Sequence, residues 1–184
     1  MDRTELLDAR LSRFTIENTA ADNFNMIDGV LEVREPEGWL KSVERYADFE
    51  LIVEFRFMTE NADSGIFFRA LGEREFVRGW PNQSYQVQLR NPLGQSPFPP
   101  VGGLFRHGMA SGETRYDEDL ARETSLGTGE WQTLLVRVQG TTLTVALNGV
   151  AITHAGAIGN ETGFIGIQGE TGTLEFRSLQ LREL

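Results

Sequence analysis

Histidine, carboxylate and guanidinium side chains are the groups of this sequence that could move protons or hold developing charge. An unperturbed imidazole titrates near neutral pH, which makes His107 the best single candidate for proton transfer. Glu54 is a second candidate acid or base, and Arg69 could hold a ligand and its developing negative charge. Each also has a plain structural interpretation, because a lone histidine is often a surface residue and Glu54 could simply pair with Arg56 or Arg69.

Amide, guanidinium and indole side chains that could hold a polar ligand occur close to these groups in the sequence. Gln86 and Gln88 stand two residues apart in a strand-like segment, so their side chains should share one face. Such a pair is also common on any solvated sheet. The candidate ligand-binding side chains are Gln86, Gln88, Asn91, Arg56, Arg106 and Trp80.

Strict alternation between Phe49 and Phe57 indicates a strand with one apolar and one polar face. Because successive strand side chains point to opposite faces, the apolar set should face a core and the polar set should face water. The wet side is where we expect function. The buried set would be Phe49, Leu51, Val53, Phe55 and Phe57, and the solvated set Glu50, Ile52, Glu54 and Arg56.

Shorter alternating segments recur through the rest of the chain and end in glycine turns. They lie at 66–69, 85–89, 134–139, 143–148, 164–168 and 174–181. Asn148-Gly149 suits the positive φ angles of a tight hairpin, and Gly140 lies in a second turn. The pattern predicts an all-β fold, a two-sheet antiparallel β-sandwich. The only segment with a helical signal is Asp2–Arg13, and the proline-rich segment from Asn91 to Thr128 is expected to be mostly loop.

Length, charge and composition exclude several classes of protein. At 184 residues the chain is expected to form one domain over 1–184. A net charge of −10 argues against nucleic acid or an anionic membrane as a partner. We find no apolar run that could span a membrane and no secretory signal pattern at the N-terminus. The sequence does not indicate a cellular location.

Metal and cofactor chemistry are not indicated either. Cysteine is absent and there are two histidines, so a thiolate or multi-histidine site is hard to assemble. The acidic run Asp117-Glu118-Asp119 is interpreted as a solvated loop, because it lacks a recognised calcium-loop pattern. There is no phosphate loop or dinucleotide fingerprint, and we therefore predict no metal and no cofactor.

A set of short motifs in a fixed order extends along the chain from Phe24. They are Ile27-Asp-Gly-Val-Leu, Tyr46-Ala-Asp-Phe-Glu-Leu, Glu54-Phe-Arg, Asp63-Ser-Gly-Ile-Phe-Phe-Arg69, Tyr85-Gln-Val-Gln88, Gly103-Leu-Phe-Arg106, Gly129-Glu-Trp-Gln, Leu147-Asn-Gly, Gly163-Phe-Ile-Gly-Ile-Gln168 and Leu174-Glu-Phe-Arg177. In these residues the chain resembles the 3-keto-disaccharide hydrolase family, once known only as a domain of unknown function. The resemblance implies the concanavalin A-like lectin/glucanase fold, a jelly-roll sandwich.

The resemblance implies a small carbohydrate ligand and, for an enzyme, a 3-keto-glycoside substrate. A ketone at C3 acidifies the C–H bond at C2, so a base could remove that proton and the glycosidic oxygen could leave. Addition of water would complete net hydrolysis. His107 or Glu54 would be the base, and Arg69 or Arg106 would stabilise the enolate. The alternative is a non-catalytic carbohydrate-binding module on the same fold. The oligomeric state stays open.

Two positions depart from the pattern of that family. Its members often carry a glutamate after the tyrosine of the central motif and an aspartate a few residues later, where this chain has Gln86 and Asn91. An amide cannot act as a general acid or base, so Gln86 favours binding. The pair Arg106-His107 beside the expected cleft favours chemistry.

Strand alternation leads us to expect one site on one concave sheet face. Trp80 would be a stacking platform at its edge, because aromatic rings stack on the C–H faces of sugars. His154 is expected to be an ordinary surface residue in the opposite sheet, and Trp131 a core anchor. The side chains expected to converge are Glu54, Arg69, Gln86, Gln88, Arg106 and His107.

Overall fold

Antiparallel strands with one apolar face form two sheets that pack against each other in the computed structural model. The structure describes residues 2–19, 21–72, 76–77 and 79–184. Both sheets turn their apolar side chains toward a shared core, as alternation predicts for a sandwich. The predicted all-β, two-sheet antiparallel fold is confirmed.

The larger sheet has nine strands, and all of its pairings are antiparallel. The strand that first indicated the fold, β6, lies near its middle between β13 and β17. In spatial order the strands are β12 (Thr114–Tyr116), β15 (Val150–Ala155), β14 (Thr142–Leu147), β13 (Gln132–Gln139), β6 (Phe49–Phe57), β17 (Thr173–Glu183), β4 (Val30–Arg34) and β3 (Phe24–Ile27), with β1 (Thr4–Glu5) also paired to β17.

The smaller sheet has six strands and carries both glutamines singled out in the sequence, Gln86 and Gln88. A separate two-stranded ribbon pairs β8 (Phe76–Val77) with β9 (Trp80–Pro81). In spatial order the six strands are β11 (Leu104–His107), β10 (Ser84–Arg90), β7 (Asp63–Ala70), β16 (Gly163–Gly169), β5 (Gly38–Tyr46) and β2 (Phe14–Glu17).

The core lies between the sheets and follows the period of two. All five alternating side chains of β6, from Phe49 to Phe57, are fully buried, while Glu54 and Arg56 on the other face are partly exposed. On the facing sheet Tyr85, Val87 and Leu89 of β10 belong to the same core. Burial of these side chains is the main stabilisation of the fold, at about 1.5–3 kcal/mol for each large apolar residue.

Two local predictions were wrong in opposite directions. Residues Asp2–Arg13 do not form a helix, because Thr4–Glu5 pairs with β17 and turns follow it. A short helix, α1 (Glu118–Thr124), replaces the expected acidic loop. Asp117 is its N-cap, and its side chain accepts from the Leu120 amide. The acidic residues at the helix start favour this because they face the positive end of the helix dipole.

The predicted hairpins occur as expected. Asn148 and Gly149 connect β14 and β15 with φ angles of 48° and 85°, the left-handed region that suits this turn. Gly140 lies in the turn between β13 and β14. None of the helices in the described ranges is long and apolar enough to cross a membrane.

Trp131 does not lie in the core as expected. It is half-buried on the outer side of the larger sheet, with Arg56 and Arg177 each 4.6 Å from its ring centroid. Guanidinium groups stack favourably on an indole, so the ring is covered by arginines instead of by the second sheet.

Candidate functional site

A small cavity lies on the face of the six-stranded sheet that is turned away from the core. Its volume is about 190 Å³. Strands β7, β10, β11 and β16 supply its floor and walls, and the loop before β11 supplies one rim. The lining residues are Asp63, Trp80, Gln86, Gln88, Phe98, Phe105, His107, Gln168 and Glu170.

Strand register explains why these side chains meet. On β10, Gln86 lies opposite Phe67 of β7 and opposite Phe105 of β11. Cross-strand partners share a face, so Gln86 and Phe105 point the same way, and His107 follows two residues after Phe105. The glutamines therefore lie opposite the core face of their strand, as their alternation predicts.

Both glutamines are nevertheless buried, which is unusual for the solvent side of a sheet. Gln86 is 2% exposed and Gln88 is 3% exposed. A second apolar cluster covers this face, formed by Trp39, Phe67, Ala70 and Trp80 with Phe164 packed against it. Burial of an amide is costly unless its N–H and C=O groups are hydrogen-bonded. We therefore expect the amides of Gln86 and Gln88 to have hydrogen-bond partners.

A missing side chain makes room for the central amide. A Cβ atom on Gly65 would lie 2.3 Å from Nε2 of Gln86, which is closer than real Cβ contacts allow. Gly65 stands on β7 beside the glutamine strand. Its lack of a side chain is therefore what leaves room for the Gln86 amide beside β7.

The amides form one continuous hydrogen-bond network, which we call the amide network and define as Asp63, Gln88, Gln86, Gln168 and His107. Gln88 Nε2 donates to Asp63 Oδ1 over 2.6 Å. Gln86 Nε2 donates to Gln88 Oε1 over 2.7 Å and to Gln168 Oε1 over 2.8 Å. His107 Nε2 lies 2.7 Å from Gln86 Oε1. The network joins a carboxylate to an imidazole through neutral groups.

Aromatic rings hold the imidazole in place. The ring of His107 stacks on Phe105, with centroids 6.0 Å apart, and meets the edge of Phe67 at 5.9 Å. Burial among these rings lowers the pKa of His107, because the charged form loses hydration. Among the described residues, no group hydrogen-bonds to Nδ1 of this ring. A neutral imidazole with one free nitrogen can accept a proton or a hydroxyl hydrogen bond.

Phe98 forms a partly open rim. It is 56% exposed, and its ring meets Phe105 at 6.1 Å between centroids. Trp80, in contrast, is buried. It is 7% exposed, and its indole N–H donates to Gly169 O over 3.2 Å. Trp80 is thus a rigid wall of the cavity, and Phe98 is a ring with one face available.

Two residues predicted for the site lie on the other sheet. Glu54 and Arg56 belong to β6, so they project from the outer face of the nine-stranded sheet. Glu54 accepts from Arg177 over 2.8 Å, and Arg56 donates to Glu175 over 2.7 Å. The predicted convergence is wrong for both, because alternation shows which side of a strand is polar but not which sheet the strand joins.

Arg69 is also absent from the cavity. It is 3% exposed, and its guanidinium donates to Gly140 O over 2.8 Å and to Asp48 Oδ1 over 2.8 Å. Its φ of 46° is left-handed, and the alternation slips here, since Ala70 joins Phe67 in the outer cluster. Arg69 therefore fastens the end of β7 to neighbouring turns.

Arg106 and Asn91 have structural partners as well. Arg106 pairs with Tyr85 across the strands, stacks 5.6 Å from that ring and donates to Gly156 O over 2.7 Å. It precedes His107, so the two must point to opposite faces, and the expectation that both enter one cleft was wrong. Asn91 is buried and donates to Thr59 O over 3.1 Å.

Five lining residues were not singled out from the sequence. Parity could have found Phe105 from His107, and Gln168 from the buried Ile165 and Ile167. Phe98 stands in a proline-rich loop with no periodic signal. Among the residues that the structure describes, no group of three or more histidine and carboxylate side chains is arranged to hold a metal ion. The residues missed are Asp63, Phe98, Phe105, Gln168 and Glu170.

Comparisons with solved structures identify the fold. A candidate glycosyl hydrolase from Parabacteroides distasonis is 20% identical, with a TM-score of 0.74 and 100% of both chains covered. The carbohydrate binding module CBM66 from Bacillus subtilis is 11% identical, with a TM-score of 0.58, 91% of this chain and 93% of that chain covered. A Bacillus subtilis protein with a galectin-like fold is 13% identical, with a TM-score of 0.66, 98% of this chain and 94% of that chain covered. At these identities the likeness concerns the fold alone.

No curated protein matches the sequence. The sequence profile of the 3-keto-alpha-glucoside-1,2-lyase-like domain matches residues 2–182, which is nearly the whole chain. This agrees with the family suggested by the motifs of the sequence. The chain belongs to the 3-keto-alpha-glucoside-1,2-lyase-like domain family.

Proposed function

We propose that this protein is a carbohydrate-active domain that cleaves 3-keto-glycosides by elimination across C1 and C2, in the cavity that His107 lines. The observation that carries the proposal is the state of that imidazole. Burial lowers the pKa of His107, so the ring is neutral near pH 7, and Nδ1 is unpaired among the described residues. The family match and the glycosyl hydrolase neighbour support the same substrate class.

The cavity suits part of a sugar better than a large ligand. Its volume of about 190 Å³ is below the roughly 300–1,000 Å³ of sites for drug-sized ligands. Amides and carboxylates can hydrogen-bond hydroxyls, and the open face of Phe98 can stack on a sugar ring. One keto-sugar ring would occupy the cavity, and the rest of the glycoside would extend past this rim.

In the first step, His107 takes the proton from C2, and the C–H electrons move into an enolate whose negative charge rests on the C3 oxygen. The enolate then re-forms the ketone, a C1–C2 double bond appears, and the C1–oxygen bond breaks. The imidazolium returns its proton to the departing oxygen. Addition of water across the double bond completes net hydrolysis.

The enolate needs a hydrogen-bond donor, and the arginines predicted for that role do not line the cavity. Gln168 takes their place in this proposal. Its Oε1 accepts from Gln86, while its Nε2 has no partner among the described residues. A preorganised amide N–H donor in a site shielded from water stabilises a developing oxyanion.

A carbohydrate-binding module is the second candidate function. The observation in its favour is Gln86, an amide at the centre of the site where a carboxylate would be expected for acid–base chemistry. The likeness of the fold to that of the carbohydrate binding module CBM66 supports this candidate. In that case Nδ1 of His107 would accept a hydrogen bond from a sugar hydroxyl.

One NMR experiment separates the two functions. The protein is mixed in D₂O with methyl 3-keto-α-glucoside, 3-keto-trehalose and their unoxidised parents. Elimination predicts exchange of the C2 proton for deuterium and loss of the glycosidic bond in the keto compounds only. A binder shows neither, and its affinity for the sugars is then measured by calorimetry.

A pair of histidine variants tests the residue assignment. His107→Ala should lower turnover by about 10²-fold or more, the usual contribution of general acid–base catalysis. His154→Ala is the matched control, because this second histidine lies on β15 of the other sheet and should leave turnover unchanged. Full activity in His107→Ala would show that the base lies elsewhere.

A further inference from the structure

We propose that Asp63 is a positioning residue that sets the tautomer of His107 through Gln88 and Gln86, so that Nε2 carries the ring proton and Nδ1 presents the lone pair. The catalytic meaning of this assignment rests on the proposed function. The assignment of the tautomer does not depend on that function, and the tautomer can be measured without any substrate.

The direction of every hydrogen bond in the amide network follows from its first member. An ionised carboxylate has acceptors and no proton, so Gln88 must present its NH₂ group to Asp63 Oδ1, 2.6 Å away. The carbonyl oxygen of Gln88 then faces Gln86, which must answer with its own NH₂ group over 2.7 Å. The carbonyl oxygen of Gln86 is therefore left to face His107.

A branch of the network supports the same direction. The second N–H of Gln86 donates to Gln168 Oε1 over 2.8 Å. Both donors of this amide are thus used, and its oxygen, 2.7 Å from His107 Nε2, can only accept. The imidazole must donate from Nε2, and in the neutral ring the other nitrogen carries no proton.

The separation between the Asp63 carboxylate and the His107 imidazole also matters for the pKa of the ring. A carboxylate bonded directly to an imidazole would raise its pKa, because an opposite charge favours the protonated ring. Here two neutral amides stand between Asp63 and His107, so the carboxylate fixes the orientation without lying beside the ring. Burial instead lowers the pKa of His107. The ring is thereby oriented and neutral at once, which is the state that a general base requires.

The network is built so that this direction is hard to lose. Gln86 and Gln88 are nearly inaccessible to water, and Gln168 is 1% exposed. Water therefore has little access to replace a misdirected amide, and a mismatched pair would leave two donors or two acceptors facing each other. If one amide exchanged the positions of its NH₂ group and its oxygen, every other amide of the network would have to do the same. The carboxylate of Asp63 prevents this, because it can only accept.

The test is a long-range ¹H–¹⁵N NMR spectrum of the histidine rings at neutral pH. The two ring nitrogens resonate far apart according to whether they carry a proton, so the spectrum reports the tautomer directly. In the wild type, the signal of His107 should show protonated Nε2 and bare Nδ1. A wild-type ring with protonated Nδ1 would overturn the proposal.

Asp63→Asn is the decisive variant because it keeps the shape and removes the constraint. An asparagine can donate or accept, so the whole network can run in either direction, and His107 should become a mixture of both tautomers. Glu170→Gln is the matched control, since it neutralises another carboxylate of the same cavity wall without altering Asp63. It should keep the single wild-type tautomer.

A second variant covers the case in which Asp63→Asn does not fold. Gln88→Leu cuts the network between the carboxylate and Gln86, and should give the same tautomer mixture. A single protonated-Nε2 tautomer in both Asp63→Asn and Gln88→Leu would overturn the proposal, as would a mixture in Glu170→Gln. Absence of turnover on keto-glycosides would refute the proposed function and leave the tautomer result standing.

Discussion

The outer faces of the two sheets both carry polar side chains, but the chemical type and the pairing of these side chains differ. On the nine-stranded sheet the polar groups are charged and paired, as in the bonds from Arg177 to Glu54 and from Arg56 to Glu175. Around the cavity of the six-stranded sheet they are mainly neutral amides, buried beneath aromatic rings, whereas Lys41 and Glu17 form an ion pair farther along that sheet. We call the first the ion-pair face and the second the amide face.

The charged groups of the ion-pair face are already paired with each other, which indicates a structural role. Glu50 accepts from Arg3, Arg137 and Arg182 at 2.9, 2.8 and 2.5 Å. Burial would raise the pKa of Glu50, but the hydrogen bonds from Arg3 and Arg182 outweigh it and lower that pKa. Arg3 lies just before β1, Arg137 on β13 and Arg182 on β17, so these bonds fasten three segments to β6.

The amide face is arranged for a ligand in a way that the ion-pair face is not. It has a cavity, an imidazole whose Nδ1 is unpaired among the described residues, and an aromatic rim, whereas the indole of Trp131 on the ion-pair face is covered by two arginines. Polarity alone therefore does not locate a site on this fold. Buried polar atoms that lack a hydrogen-bond partner and lie beside a cavity are a better indication of a ligand site.

The largest expected effect on stability comes from removing the centre of the amide network. Gln86→Leu leaves the oxygens of Gln88 and Gln168 and the Nε2 of His107 without their partner. Unsatisfied buried groups cost about 1–3 kcal/mol each, so the loss of three partners should lower the free energy of unfolding by at least about 3 kcal/mol. The control Gln180→Leu, on an exposed position of β17, should change it by less than about 0.5 kcal/mol. Urea denaturation measures both, and equal losses would remove the distinction between the faces.

The next effect comes from filling the space beside that amide. Gly65→Ala would place a Cβ 2.3 Å from Gln86 Nε2, and overpacking of this kind costs about 1–3 kcal/mol. Gly156→Ala is the control, because a Cβ there meets nothing within 4 Å. Thermal unfolding should show a lower midpoint for the first variant only. A Gly65→Ala protein as stable as wild type would mean that the amide can move aside freely.

A smaller effect is a pH dependence of stability that belongs to His107. Its pKa is lowered in the folded protein, so just below the unfolded value of about 6.5 the unfolded chain binds more protons. Stability is then full above that pH and falls as the pH drops toward the lowered pKa of the folded state, by at most about 1.4 kcal/mol per unit for one proton. Denaturation at several pH values should show this slope in wild type and in His154→Gln but not in His107→Gln. A slope that persists in His107→Gln would assign it to another group.

The smallest effect is expected for an ion pair on the other sheet. A double-mutant cycle on Glu54 and Arg177, whose side chains are 34% and 44% exposed, should give a coupling of about 0.2–1 kcal/mol. Because solvent and salt screen such pairs, the coupling should fade in 1 M salt. A coupling well above this range would show that the ion-pair face is more than a solvated surface.

Alternation predicted much of the fold, because a strand with one buried face must repeat every second residue. It placed Phe49 to Phe57 in the core and Gln86 opposite Tyr85. It did not reveal that β6 and β10 lie in different sheets, and so it wrongly grouped Glu54 with Gln86. Sheet membership depends on long-range pairing, which no local pattern encodes.

The site was predicted in part for the same reason. His107, Gln86, Gln88 and Trp80 do line one cavity, whereas Arg69 left the expected face because a positive φ interrupts its strand. Phe98 lies on an irregular loop whose path depends on the rest of the fold. Residues on regular strands could be assigned to a face from sequence, and those at bulges and in loops could not.

We expect the sugar to bind on the amide face, and the indole signals of two tryptophans test this directly. Trp80 lines the cavity and Trp131 lies on the ion-pair face. Titration of ¹⁵N-labelled His107→Ala protein with methyl 3-keto-α-glucoside, which this variant should consume slowly, is followed by ¹H–¹⁵N correlation spectra. We expect the Trp80 indole to shift in a saturable way while that of Trp131 stays fixed. A saturable shift of Trp131 with no change at Trp80 would contradict the claim.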